Sequence, residues 1–345
     1  MKSLSVQKVC RLNAGFYGAN CSIRKIMPLQ RLTSTPPTLP HLQASGASVP
    51  VTQRFDKLPS LASAVKGVSN EKDTQKVTIY FGNGGSAPIK TDLMSAIGSY
   101  VHRVVNPNKS IDDYPLVFSD KSGLETFNRF REKFPIASSS ERPKLTGRLS
   151  DDLGAHFGYA IRNVRAVMAE DFEFSPDQKI YVTGHGTAGT DVMQVDDKFF
   201  TMKDVSRELA SIGVPKNIRD VRLTSCNSAD SRKMPAVKDE NLSDYSKQFL
   251  EKSTLFGLFG SERVRKAPAE YLLDEMSKAG FDEVTVTGYH GAGIYCNGKE
   301  FPQSSLRNAN APTNIGYNPE DTVRRSTVSV KFVANEIDRG TSVDP

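Results

Sequence analysis

Three apolar, β-branched runs in this chain each stop abruptly at a glycine turn: KVTIYF (Lys76 to Phe81) before GNGG, KIYVTG (from Lys179) before HGTAG, and EVTVTGY (from Glu283) before HGAG. Between them lie stretches with apolar residues at helical spacing: IKTDLMSAIGSYVHRVV (Ile89 to Val105), LETFNRFREKF (Leu124 to Phe134) and SDDLGAHFGYAIRNVRAVMAE (Ser150 to Glu170). Two more follow, MKDVSRELASIG opening near Thr201 and APAEYLLDEMSKAG closed by Gly280. PLVFSD, DVRLTSC and TVSVKFVANEI read as further strands. Strands separated by helices cannot pair as hairpins, so the pattern predicts an α/β fold with a mainly parallel central sheet covered by helices on both faces. The three glycine-turn units share a pattern but not a sequence, and they are not a repeat.

In an open α/β sheet the ligand crevice lies beyond the carboxyl ends of the strands. Those ends present His185, Cys226 and His290. A histidine needed only for packing does not require glycines on both sides, whereas His185, between Gly184 and Gly186, has a backbone free to turn and to approach a ligand. VRLTSCNSADS places Cys226 in the same setting, forty-one positions and one helix-like run later, as expected for neighbouring parallel strands. A cysteine attacks as its thiolate, and a histidine beside it takes the proton and returns it to the leaving group. Backbone N–H groups at Gly186 and Cys226 would receive the developing oxyanion, at about 3 kcal/mol per donor. The pair predicts thiol acyl-transfer chemistry with His185 and Cys226 catalytic.

Other readings compete for the same residues. His290, in TGYHGAG, also precedes a glycine, and Cys296 lies six residues on, so a His290–Cys296 dyad is an alternative. YHGAGIYCNGKEF looks like a hairpin with IYC as strand and NG as turn, and a role for His290 in support of His185 is favoured over its replacing His185 as the base. Asp191, Asp196 and Asp197 follow the histidine and are candidates to orient the imidazole or to recognise a basic substrate residue. FGNGGSAP lacks the GKS or GKT ending of a phosphate loop and reads as a tight turn. The stretch Gln303 to Arg325 is polar and reads as an exposed loop, and RVRK (Arg263 to Lys266) as a solvated helix entry.

The formal charge of the 345-residue chain is +6, of which +7 falls in residues 1–55, a stretch without Asp or Glu, leaving −1 for the rest. A neutral body gives no basic stripe for nucleic acid. No run is long and apolar enough to span a membrane. Residues 1–70, rich in Ser, Thr and Pro, read as a disordered basic leader: an organellar transit peptide, or the N-terminus of a bacterial protein injected into host cells. Four widely spaced cysteines match neither a disulfide framework nor a metal site.

The His-Gly after an apolar strand, followed by an apolar strand ending in Cys, resembles the clan CD cysteine peptidases: caspases, legumains, gingipains, separases and the self-cleaving protease domains of RTX-type toxins. TGHG with LTSCNSA is most similar to the VGHG and GCSLA patterns of the toxin group, over about Lys179 to Asp230, with Glu283 to Gly293 compatible. The resemblance implies a caspase-like three-layer fold over residues 75–337, with 338–345 as a tail, a His185–Cys226 dyad that needs no third member, and a strand near Glu283 to Gly293 that lines the substrate cleft, with His290 and Asp191 as candidate cleft residues. It implies a cysteine endopeptidase cleaving host proteins or itself, without a metal, and points to a bacterial virulence factor working in the host cytosol. The toxin proteases are switched on by inositol hexakisphosphate, for which Lys252 and Arg263 to Lys266 are the candidate residues. Deamidation or transglutamination by the same dyad, and a non-catalytic binding protein on the same fold, remain as alternatives.

Overall fold

A computed structural model describes residues 75–84, 91–106, 108–133, 141–146, 149–234, 242–255, 259–296, 301–308 and 322–334. The leader over 1–70 and the tail over 338–345 lie outside the described residues. In chain order the elements are β1 (Lys76–Tyr80), α1 (Thr91–Gly98), α2 (Val101–Val105), β2 (Leu116–Phe118), α3 (Lys121–Lys133), α4 (Leu149–Asn163), β3 (Ala166–Met168) and β4 (Lys179–Val182). A small antiparallel sheet follows, β5 (His185–Gly186), β6 (Val192–Val195) and β7 (Lys198–Thr201), and then α5 (Met202–Ser211) and β8 (Asp220–Leu223). The hairpin β9 (Phe249–Leu255) and β10 (Phe259–Arg265) leads to α6 (Pro268–Lys278) and β11 (Thr285–Tyr289). The last described strands are β12 (Gly293–Cys296), β13 (Phe301–Asn308), β14 (Thr322–Arg324) and β15 (Ser329–Val333).

Seven of these strands form the central sheet in the order β15-β11-β8-β4-β1-β2-β3, every pair parallel except β11 with β15. The fold is therefore α/β with a mostly parallel sheet and helices packed on it. Chain order reverses between β1 and β4: β2 and β3 extend the sheet to one side, and β8, β11 and β15 to the other. Such a reversal opens a crevice at the carboxyl ends of the two central strands.

The register gives the sheet two unlike faces. Val77, Ile180, Val221 and Val286 stand in one cross-strand row and Ile79, Val182 and Leu223 in another, all fully buried, each worth about 1.5–3 kcal/mol of apolar burial. The row between them, on the opposite face, is Thr78, Tyr181, Arg222 and Thr287. Its polar groups must find partners, and Arg222 pairs with Asp220 at 2.7 Å and lies over the Tyr181 ring. α1 and β13 cover this face: Ser95, Ser99 and Ser304 line a small cavity with Thr78, Tyr181 and Arg325. Helix α5 opens as its sequence predicts, with a reciprocal capping box between Thr201 and Asp204. Gly280, at φ +81, ends the α6 segment.

Four expectations are corrected. Ile89 to Val105 is not one helix, because the chain turns at Ser99 and Tyr100 to bury the Tyr100 ring 4.5 Å from that of Tyr114. The helix expected up to Glu170 stops at Asn163, since Ala166–Met168 pairs with β2 as the edge strand and the ladder outweighs local helix preference. Within Gln303 to Arg325, residues up to Asn308 belong to β13 and Thr322–Arg324 to β14, so this stretch is not simply a loop. Arg263 to Arg265 end β10 instead of entering a helix, their backbone committed to pairing with Phe249 to Glu251.

Candidate active site

The strand ends deliver the chemistry. His185, just past β4, places Nε2 2.6 Å from Asp92 Oδ1, in the first turn of α1 after β1. The pair straddles the point where strand order reverses. Asp92 is buried, its imidazole partner is 45% exposed, and the carboxylate hydrogen bond lifts the imidazole above its ordinary value against the opposing effect of burial. Asp92 is held in turn: its Oδ2 accepts from the backbone N–H of Asp196 at 2.5 Å. Asp196 sits at φ +58, and its carboxylate accepts from the Tyr80 hydroxyl at 2.8 Å and from Gly84 N–H at 3.0 Å. The glycine turn after β1 thus serves to bring a backbone donor to this carboxylate. Burial and Asp196 push the Tyr80 phenol upward, so it stays a donor.

Cys226 is half-buried in the turn after β8, and its Sγ accepts from Gly293 N–H at 3.3 Å. Asn227, at φ +54, donates its N–H to Gly291 O. Ser228 Oγ donates to Leu223 O and accepts from Tyr289 N–H, tying the turn to β11. Gly186 lies against this turn so closely that a Cβ on it would stand 2.7 Å from Ser225 Oγ and 2.8 Å from Cys226 O. The two catalytic candidates therefore belong to touching segments. Among the described residues no hydrogen bond joins the imidazole to the thiol; apo sites often tighten such contacts only with substrate bound.

The other candidates are placed differently. His290 is 2% exposed and bonds through Nδ1 to Asp230 Oδ1, whose Oδ2 accepts from Gly291 N–H at 3.1 Å. Burial raises the Asp230 carboxyl while His290 lowers it, and burial prevails. His290 is thus a buried brace of the Cys226 turn, whereas the sequence reading expected it to line the cleft. Cys296 ends β12, as the hairpin reading expected; its side chain lies outside the described residues. Asp191 faces Arg263 at 4.0 Å and does not orient His185; Asp92 does. Of the residues suggested for a polyphosphate, Lys252 pairs with Glu262, Arg265 with Glu251 and Lys266 with Asp274.

Asp92 and Gly293 were missed from sequence. An acid in the first turn of the helix after a glycine-bounded strand was the available signal for Asp92; Gly293 meets Cys226 through its backbone N–H, which no side-chain pattern marks. Among the described residues no group of three or more His, Cys, Asp and Glu side chains is arranged to hold a metal, and no helix is long and apolar enough to cross a membrane. No protein-family model matches the chain, and no curated protein is significantly similar to it.

Proposed function

We propose that this protein is a cysteine endopeptidase on a caspase-like fold, with Cys226 as nucleophile, His185 as acid and base, and Asp92 as the residue that orients the imidazole. The observation that carries the reading is the Asp92–His185 pair, with Asp92 on His185 Nε2 at 2.6 Å, next to Gly186, which packs on the turn that holds Cys226. Cys226 Sγ attacks the scissile carbonyl carbon, the peptide C–N bond breaks, and His185 donates a proton to the leaving amine. Water then attacks the thioester, passing its proton back to His185, and thiol and acid are released. The Cys226 N–H, with no oxygen partner among the described residues, supports its role as an oxyanion donor beside Gly186. The short resemblance over Lys179 to Asp230 agrees with this reading. Activation by inositol hexakisphosphate is not part of it, because the candidate cations would have to leave Glu262, Glu251 and Asp274.

The test compares candidate proteins, including the chain itself, after incubation with the native protein and with Cys226→Ala. New N-termini that depend on Cys226 support the peptidase. Side chains converted from amide to acid without chain cleavage make it a deamidase, and no Cys226-dependent change favours a binding protein.

A further inference from the structure

Arg307 is a buried cation whose hydrogen bonds, among the described residues, all go to neutral backbone carbonyls. On β13 its side chain is 1% exposed; Nη2 donates to Thr224 O at 2.9 Å, and Nη1 to Ser304 O and Leu306 O at 3.3 Å. Nε is buried with no partner, and the guanidinium lies 5.6 Å from the centre of the Tyr289 ring. Among the described residues Arg307 forms no ion pair. Carbonyl dipoles and a ring face solvate a cation but do not neutralise it, and a buried charge without a counter-ion is strongly disfavoured.

The surroundings sharpen the imbalance. Arg325, from the segment after β14, stacks 4.9 Å from the same Tyr289 ring and also lacks an ion pair among the described residues. Burial first and this second cation next pull Arg307 down to about 10. Asp230 also favours the Arg307 cation, but its carboxylate is engaged directly by His290 and Gly291 N–H. His185 adds a group whose charged form is favoured by Asp92. Cys226 is a second candidate anion that acts on Arg307. One point beside Gly293, where a Cβ would stand, has Arg307 Nη1 at 3.4 Å and Cys226 Sγ at 4.0 Å, so the two lie no farther apart than those distances together.

We propose that Cys226 rests as a thiolate and that Arg307 is its counter-ion, a positioning residue that holds the nucleophile charged before substrate arrives. The S–H electron pair stays on sulfur, the proton is taken up by the His185 imidazole, and Gly293 N–H donates to the resulting anion. The inference rests on the reading of Cys226 as the reacting group of this site. It assigns Arg307 a role that packing alone does not supply.

The experiment uses the full chain and follows alkylation of Cys226 by iodoacetamide from about pH 5 to about pH 9, together with the ultraviolet thiolate band relative to Cys226→Ser. The native protein is expected to show the band at neutral pH and a nearly flat alkylation profile. Arg307→Met is expected to lose about tenfold in rate in mildly acidic solution and to gain the steep rise of an ordinary thiol, with Arg307→Lys recovering most of the loss. A native protein without the band, or a folded Arg307→Met with the native profile, overturns the proposal; if Arg307→Met does not fold, the native band decides alone. A thiolate band without Cys226-dependent turnover removes the peptidase reading and leaves this one standing, and cleavage without the band does the reverse.

Discussion

Asp92 Oδ1 stands 2.6 Å from His185 Nε2, so a carboxylate carried by the helix after β1 meets an imidazole carried past the end of β4. The contact engages the ring through Nε2 and favours the charged imidazole.

Replacing Asp92 by Asn leaves an oxygen to accept from Asp196 N–H but removes the charge. The folded protein binds the His185 proton more tightly than the unfolded chain does. The pair therefore contributes stability that is complete below the unfolded imidazole value, about 6.5, and is lost as pH rises through the raised folded value. The deficit of Asp92→Asn, measured by urea unfolding, is expected to be about 1 kcal/mol or less for this half-exposed pair in mildly acidic solution, and to shrink in alkaline solution. A deficit that grows with pH contradicts the assignment.

Tyr80→Phe takes away the hydroxyl that donates to both Asp196 carboxylate oxygens. Bonds to a charged acceptor in a buried setting are worth about 1.5–3 kcal/mol, and a loss of that size is expected in denaturant unfolding. Because Asp196 positions Asp92, the His185 titration followed by NMR should shift as well. An unchanged titration would mean that the Asp196 backbone holds its place without the tyrosine.

His290→Ala strands the Asp230 carboxyl, which is fully buried. The expected loss is about 3 kcal/mol or more, whereas Asp230→Asn, which removes the charge along with the pair, should cost less. Thermal unfolding of the two variants gives the order. The reverse order would show that His290 is not paired for charge balance.

Gly186→Ala tests how closely the His185 and Cys226 segments fit. The added methyl would meet Cys226 O at 2.8 Å, and a backbone oxygen cannot swing away as a side chain can. A stability loss of about 1–3 kcal/mol is expected, with slower alkylation of Cys226 as its turn is displaced. Native alkylation in a folded variant argues that the segments are free to separate.

Strand identity was legible where side chains alternate between unlike faces or are β-branched, as in KVTIY, KIYV and TVTGY, and helix starts were legible where a cap is local, as at Thr201 with Asp204. His185 and Cys226 stood out for the same reason: each follows such a strand at a turn. What could not be read depends on partners distant in sequence. Ala166–Met168 is a strand only because β2 offers its edge. FPQSSLRN pairs with both β12 and β14, although nothing in its own pattern alternates apolar with polar, and so Arg307 passed for a surface residue. Asp92 looked like any first-turn acid, since its meaning comes from a histidine ninety-three positions later.

The reversal of strand order between β1 and β4 has a consequence for biosynthesis. β1 pairs with β4 across about a hundred residues, and the sulfur's surroundings are complete only when β13 has joined, at Arg307. A chain emerging from the ribosome thus carries Asp92, His185 and Cys226 before it carries Gly293 and Arg307. The proposed thiolate and its counter-ion would then come together only when nearly the whole domain has been made, because the pairing that places Arg307 is among the last to form.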